Sequence, residues 1–598
     1  MKLIRSGYAV LLLLILSGCV SQPVSDNTTN NIRHASNAEW PSFGRDYSNQ
    51  RYSPLSQINT ANVGKLAPAW HYHSGVSATF QATPIVVDGV MYVSLPYNHV
   101  VALDAKTGKQ LWRYEHQRRP GWRLCCGPAN RGVAVGYGMV FMGTVDARLV
   151  ALDARTGQVK WDIDVVDAAV TTEGQGSLNA ADPLSRAKTT GSTGVGIAMA
   201  PIVYNGKVLI GITGVGYGLH IDNPRSDAPL GAVIGVAGLY GRPGFMAAFD
   251  VHTGKRIWQF DTIPSQGWEG EFRATTPEGV PLHRNIENEK AHVADFPDAW
   301  RYGGGSAWST PAIDPKRNLL FFGTGNPSPQ MNDLSRPGDN LYTVSLIALD
   351  ADTGKLRWYY QQVPHDLWGY DLASPPVLFD LEQDSKSIPA VAQASKTGWL
   401  YVHNRETGKL LLKSEAFVPQ HNLFAPATRE GTVLYPGILG GASWSPTAVN
   451  EAKQTGYVAA MHSPIKYTLH EAPAKDGQPP ILYAASEPTE DPRWGLLSAI
   501  DLGTGKISWQ HKTAQPLVSG VLATAGGLLF VGEGNGSFDA YDAATGKLLW
   551  QDKVEAGVNA PAVTYEIDGT QYVAVVAGGN SLFGFKAGDN VLVYALPK

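Results

Sequence analysis

Two adjacent cysteines, Cys125 and Cys126, are the residues of this 598-residue chain whose type and spacing point first to chemistry. They lie in Arg123-Leu124-Cys125-Cys126-Gly127-Pro128-Ala129-Asn130-Arg131-Gly132-Val133-Ala134-Val135, and the sequence holds one further cysteine, Cys19. Neighbouring thiols bond to each other only through a small strained ring. In an exported protein with Cys19 otherwise committed, an oxidised pair is expected; the other reading is two reduced, small hydrophobic side chains in a turn. No C-x-x-C-H occurs, so no covalently attached haem is expected and electrons from any redox reaction would leave to a separate carrier. Charges nearly balance, 48 Lys+Arg against 52 Asp+Glu, with no basic run to neutralise phosphates, so nucleic acid is not an expected partner.

Whatever chemistry these residues perform must be positioned by a repeated element. The phrase A-L-D-A-K-T-G-K-Q-L-W at Ala102 to Trp112 recurs at Ala151 to Trp161, Ala248 to Trp258, Ala348 to Trp358, Ala499 to Trp509 and Ala540 to Trp550, with a degenerate copy at Val402 to Leu412. Each reads as a strand end, a tight turn with Gly at positive φ and Asp and Thr oxygens bonding nearby N–H groups, and a second strand closed by Trp. One hairpin cannot bury an indole alone, so repeated hairpins with repeated Trp imply unit stacked on unit. Four-stranded units stacked radially make a β-propeller, and each interface is its own small core, which lets a chain of this length be one domain. With 65 Gly and 39 Pro and no long amphipathic helical pattern, the class is all-β.

The ends carry further signals. Asn62 to Trp70 ends in Trp without the turn phrase, and Gln571 to Ala577 is a strand run with no Trp phrase after it. Together they predict an eighth blade built from both termini, an eight-bladed propeller closed by its N- and C-terminal strands. Spacing from Trp161 to Trp258, Trp258 to Trp358 and Leu412 to Trp509 is about double that of a bare blade, and the excess is read as long loops on one face, with additional blades as the alternative. Met1 to Val20 places Lys2 and Arg5 before the apolar run Ala9 to Leu16, too short to span a bilayer. Leu16-Ser17-Gly18-Cys19 resembles a bacterial lipobox, so residues 1–19 are expected to be a lipoprotein signal with Cys19 lipidated, 20–38 a polar tether, and 39–598 the propeller. This implies a periplasmic protein anchored by lipid to a membrane, the outer membrane in particular.

The cysteine segment together with the Trp repeats resembles the quinoprotein alcohol dehydrogenases, which carry pyrroloquinoline quinone (PQQ) on the axis of an eight-bladed propeller. The resemblance runs from about Trp40 to the C-terminus and includes Gly520 to Phe530 and Ala560 to Tyr565. It implies a Cys125–Cys126 disulfide against one face of the quinone, Arg131 on a quinone carboxylate, and Trp308 of Gly303-Gly304-Gly305-Ser306-Ala307-Trp308 beneath the ring. Stacking in such a slot gives a planar cofactor affinity. It further implies Asn326 of Gly323-Thr324-Gly325-Asn326 as a metal ligand, Lys396 of S-K-T-G-W-L-Y-V at the quinone carbonyls, and Trp444 of Ser443-Trp444-Ser445-Pro446, with Gln81, Thr213, Gly214 and Ser306 completing the slot.

The pattern breaks at the reacting centre. The Asp that follows Trp in the family's D-x-W-D phrase is its base, and Asp366-Leu367-Trp368-Gly369-Tyr370-Asp371 has Gly369 there. The family's Glu metal ligand belongs to a G-A-E-Y-G phrase, matched either by Gly214-Val215-Gly216-Tyr217-Gly218 or by Gly238-Leu239-Tyr240-Gly241, neither with Glu, and Gln81 replaces a Glu common near the quinone. Asn326 and Asp371 remain as metal ligands for calcium or a lanthanide, with Asp222 and Asp227 as further candidates. In an extended segment Asp371 shares a face with position 369 and is the expected substitute base. Gly369→Asp would on this reading restore activity or metal affinity. The function implied is a PQQ-dependent oxidation of an alcohol or polyol with electrons passed to an external cytochrome or quinone; the competing reading is a non-catalytic PQQ-binding or scaffold propeller.

Overall fold

The turn inside each repeat is built by its aspartate. In the computed structural model, which describes residues 36–122, 124–166, 187–189 (backbone), 195–221, 232–473 and 480–597, Asp104 Oδ1 accepts the N–H groups of Lys106 and Thr107 at 3.1 and 2.8 Å. It also accepts the Thr107 hydroxyl at 2.8 Å. The Gly108 N–H closes on the Asp104 carbonyl at 2.8 Å, with Gly108 at φ +74°, a value that L side chains rarely adopt. Asp153, Asp250, Asp350, Asp501 and Asp542 repeat the arrangement. In the degenerate copy Asn404 stands in, accepting from Glu406 and Thr407.

The glycine has a second task. A Cβ on Gly157 would stand 2.5 Å from the Trp112 indole, whose Nε1 donates to the Ala154 carbonyl at 2.9 Å. The indole of one repeat therefore lies on the turn of the next. Trp70 meets Gly108, Trp161 Gly254, Trp258 Gly354, Trp358 Gly408 and Trp509 Gly546 in the same way, and Leu412 meets Gly505. Trp550 Nε1 donates to Leu66 O at 3.1 Å, beside the strand that carries Trp70, so the series returns to its start. A side chain at such a glycine would cost about 1–2 kcal/mol for the positive φ and about 1–3 kcal/mol for crowding the indole.

Among the described residues the strands form nine sheets. Eight hold a four-stranded antiparallel meander, over 85–114, 134–164, 202–261, 312–361, 377–413, 448–513, 522–553 and, from both ends of the chain, 563–595 with Ala67–Ala78. The terminal sheet holds Trp70 and Gln571 to Ala577 together, as expected, but a strand not read from the sequence, Gly588–Ala595, lies between them and places Val593 opposite Trp70. The long spacers correct another expectation. They are not loops throughout, because Ala187–Thr189, Leu219–Ile221, Val233–Val236, Ile481–Pro488, Ile465–Ala472 and Thr432–Leu434 pair in that order as a ninth sheet. Two insertions meet at Val236 and Tyr483, and the pairing satisfies backbone groups that separate edges would leave open.

The segment ahead of the half-repeat threads across the first strands of the sheets. Trp40 bridges to Val86, Tyr47 OH donates to Val203 O at 2.8 Å, and Tyr47, Ser48, Gln50 and Arg51 carbonyls accept from Ile313, Leu378, Val449 and Ala523 at 2.8–3.0 Å. Arg51 is fully buried there. Its guanidinium lies over Trp40 and Phe43 and donates to Phe43 O at 2.5 Å, Ala562 O at 2.6 Å and Val521 O at 3.2 Å. Cys19, residues 1–19, most of the tether 20–38, and Asp222 and Asp227 lie outside the described residues. Among the described residues no helix is long and apolar enough to cross a membrane.

Candidate functional site

One register recurs at the site. Gln81, Asn130, Ala198, Trp308, Ala373, Trp444, Val518 and Asn559 each stand four residues before the first strand of a sheet, so eight sheets present one residue apiece at the same end. Trp308 and Trp444 have ring centroids 6.5 Å apart, and the Arg131 guanidinium lies 5.0 Å from the first and 5.6 Å from the second. Arg131 Nη1 donates to Ala198 O at 3.4 Å, Thr83 N donates to Arg131 O at 3.0 Å, and burial lowers its guanidinium pKa to about 10. Gln81, two residues before Thr83, is buried. Asn559, with its carbonyl oxygen unpartnered among the described residues, shares this register and was not read from the sequence; the register before each first strand was the signal.

The cysteine pair adjoins the same arginine. Cys125 and Cys126 Sγ lie 3.5 and 3.4 Å from Tyr217 OH and 3.9 and 4.0 Å from Thr213 Oγ1, and with Ala198 and Thr213 they line a small recess. Both sulfurs stand as free thiols in this structure, side by side where the sequence led to an expected disulfide. The Cys125 contact lowers the Cys126 thiol, with Arg131 adding to the effect, while burial raises Cys125. Thr213 pairs with Gly196 through both backbone groups, Gly214 follows at φ +85°, and Ser306 Oγ accepts from Val215 N at 3.4 Å.

At the edge of the slot, Lys396 Nζ donates to Asp371 Oδ2 and to the Gly369 carbonyl, each at 3.0 Å. Asp371 Oδ1 accepts from the Asn326 N–H, so the sequence-predicted Asn326, Asp371 and Lys396 meet. The condition on which Asp371 would share a face with position 369, an extended segment, is not met. Gly369 has φ +78° and a turn is wound around Asp366, whose carboxylate accepts the N–H groups of Trp368, Gly369 and Tyr370 at 3.0–3.3 Å. Burial raises Asp366 to about 6; the Trp368 N–H opposes this and the nearby Asp371 charge adds to it. A separate cavity of ≈ 350 Å³ beside Arg273, Asp339, Tyr359 and Tyr360 contains none of these residues.

Residues 40–423 and 470–573 match the PQQ family model, described as glucose/ethanol/alcohol dehydrogenase, beta-propeller domain. A quinohemoprotein alcohol dehydrogenase of Comamonas testosteroni is 34% identical over 580 residues, 92% of this chain and 74% of the relative. The chain belongs to the quinoprotein alcohol dehydrogenase family. The quinoprotein alcohol dehydrogenase PedH of Pseudomonas putida is 32% identical over 553 residues, covering 88% of this chain and 84% of its own. The solved structure of a europium-containing methanol dehydrogenase superposes with a TM-score of 0.76 at 27% identity, over 96% of this chain and 100% of the other.

The residues present fit the family's quinone. Arg131 Nε and Trp444 Nε1 are buried polar atoms without a partner among the described residues, beside two indole faces and a buried cation. That donor set suits a planar, anionic aromatic molecule. The residues do not fit the family's cation. Asn326 Nδ2 donates to Gly216 O at 2.9 Å, and a Cβ on Gly216 would lie 2.8 Å from the Asn326 carbonyl, so backbone fills the place of the Glu. Gly241, of the other phrase, has Ser328 Oγ 2.6 Å from its would-be Cβ. Among the described residues no three His, Cys, Asp or Glu side chains group to hold a metal.

Proposed function

We propose that this chain is a PQQ-dependent dehydrogenase of alcohols, built as an eight-bladed propeller whose ring is closed by the two ends of the chain. The observation that carries the reading is the axial slot, a guanidinium over two indoles with a buried Lys396–Asp371 pair at its edge. Relatives named as alcohol dehydrogenases support an alcohol as substrate. The return of the indole series from Trp550 to Leu66 supports closure.

When bound, PQQ supplies the oxidant and takes up the two electrons and the hydrogen lost from the carbinol carbon. The chain does the rest. Trp308 and Trp444 hold a planar ring and exclude water, Arg131 neutralises a carboxylate, and Lys396 sets a positive charge where negative charge develops on reduction. Asp371 takes the hydroxyl proton onto its carboxylate, since the substrate C–H bond weakens as the O–H proton leaves. The test is PQQ reconstitution followed by absorption spectroscopy and dye-linked assay on an alcohol panel. Asp371→Asn is expected to keep the bound-quinone spectrum and to lose about 10²–10⁴-fold in kcat. Unchanged turnover would remove Asp371 as base, and bound quinone with no turnover in the wild type would make the chain a non-catalytic PQQ-binding propeller.

Its place of work is read from the N-terminus. We propose a periplasmic protein held at the outer membrane by lipid on Cys19, delivering electrons to an external acceptor such as a cytochrome c. Cys19→Ala is expected to leave the chain unprocessed or soluble in membrane fractionation, and normal processing with membrane recovery would refute the anchor.

A further inference from the structure

The PQQ reading raises a second question, because the family couples its quinone to a metal ion and this chain has rebuilt the place where that ion would sit. Position 369 carries no carboxylate, and its would-be Cβ lies 2.3 Å from Gln330 Nε2. Position 216 carries none, and its carbonyl takes the Asn326 amide. Asp371, the carboxylate that meets Asn326 among the described residues, has Oδ2 on the Lys396 ammonium and Oδ1 on the Asn326 N–H. Asp366 is turned away into the N–H groups of residues 368–370. A calcium-like ion takes about 6–8 oxygen ligands. Among the described residues it would find one amide oxygen and one carboxylate already paired with a buried cation, with Arg131 adding a second positive charge in the slot and Asp222 and Asp227 lying outside those residues.

We infer that this chain binds PQQ without a metal ion, the Lys396 ammonium supplying the fixed positive charge at the quinone's reactive edge. Lys396 suits the task. It is buried, two of its three N–H donors are held by Asp371 Oδ2 and Gly369 O, and the third is left for an incoming acceptor. Asp371 then serves to aim the ammonium as well as to take a proton, and Gly216 and Gly369 are the residues that allow Asn326 and Gln330 to close over the vacated ligand positions.

The inference rests on PQQ being the cofactor, and its test separates the two. The purified full chain is titrated with PQQ in EDTA, in calcium and in lanthanum, following quinone absorbance and tryptophan quenching, and the loaded protein is analysed for metal. Expected are apparent Kd values that agree within about twofold across the three conditions, and no stoichiometric metal. Lys396→Met should weaken PQQ binding by about tenfold or more in EDTA, and Lys396→Arg should restore most of it, as expected for loss and return of a charged donor. Binding that tightens about tenfold or more with either ion, or one ion retained per chain, overturns the metal-free site while leaving PQQ as cofactor. A Lys396→Met variant that binds as the wild type does overturns the role of the ammonium. Absence of PQQ binding in all three conditions overturns the cofactor reading itself and this inference with it.

Discussion

At the scale of single residues, position 369 separates what a motif suggests from what a fold permits. Read as a sequence, the glycine is a missing carboxylate that Gly369→Asp would restore. In the structure it sits at φ +78°, with Gln330 Nε2 2.3 Å and Ile438 Cγ1 2.6 Å from where a Cβ would be. Gly369→Asp is therefore expected to destabilise the chain by about 2–5 kcal/mol, from positive φ and crowding together, and to bring no gain in turnover. Urea denaturation and the dye-linked assay check both parts; a stable, more active variant would mean that Gln330 and Ile438 give way. Asp366 is the converse case. Its place in the D-x-W-D phrase marks it without showing a task, yet it holds three consecutive N–H groups of the turn that delivers Asp371.

At the scale of elements, one meander holds a pair of acids with a consequence for pH. Glu533 and Asp539, flanking the hairpin between Leu528–Gly532 and Ser537–Asp542, are both buried. Burial raises both, Glu533 to about 7, with the Asp539 charge adding to it. Tyr541 OH and Gln551 Nε2 donate to Asp539 at 3.1 and 2.8 Å, Gln515 N donates to Glu533, and His511 and Lys553 are the basic side chains facing the pair. A carboxyl whose folded pKa is raised favours the fold in its protonated form. Its contribution is complete below the ordinary 4.5 and is lost as pH rises through about 7. Glu533→Gln cannot lose that proton, so its Tm is expected to hold between about pH 5 and 8 while the wild type declines relative to it. Parallel Tm curves would show that Glu533 does not hold a proton in the folded chain.

At the scale of the molecule, the segment from Trp40 to Ser53 ties together sheets far apart in sequence. Arg51 is its centre, because one guanidinium serves carbonyls at Phe43, Val521 and Ala562. Arg51→Ala would leave those acceptors buried and unpaired, at about 1–3 kcal/mol each, and is expected to lower stability by about 3 kcal/mol or more. The urea midpoint measures this, and limited proteolysis should show the segment before residue 54 cleaved first. A variant as stable as the wild type would reduce the segment to a passive lead-in.

The sequence by itself determined the repeated turn, its Trp, the all-β class and the family, because an Asp, a Thr and a Gly within five consecutive residues close their own hydrogen bonds wherever the chain goes. It also determined that the two ends share a sheet, since each lacked the half the other held. Only the tertiary structure decided that the spacers pair into a ninth sheet, that the cysteines stand as free thiols beside Tyr217, and that Gly216, rather than a carboxylate, meets Asn326. These outcomes depend on which distant segments reach the same space. Asp371 and Lys396, Gly369 and Gln330, and Arg131 with its two indoles compete for positions that local hydrogen bonding does not assign and packing around a common axis does.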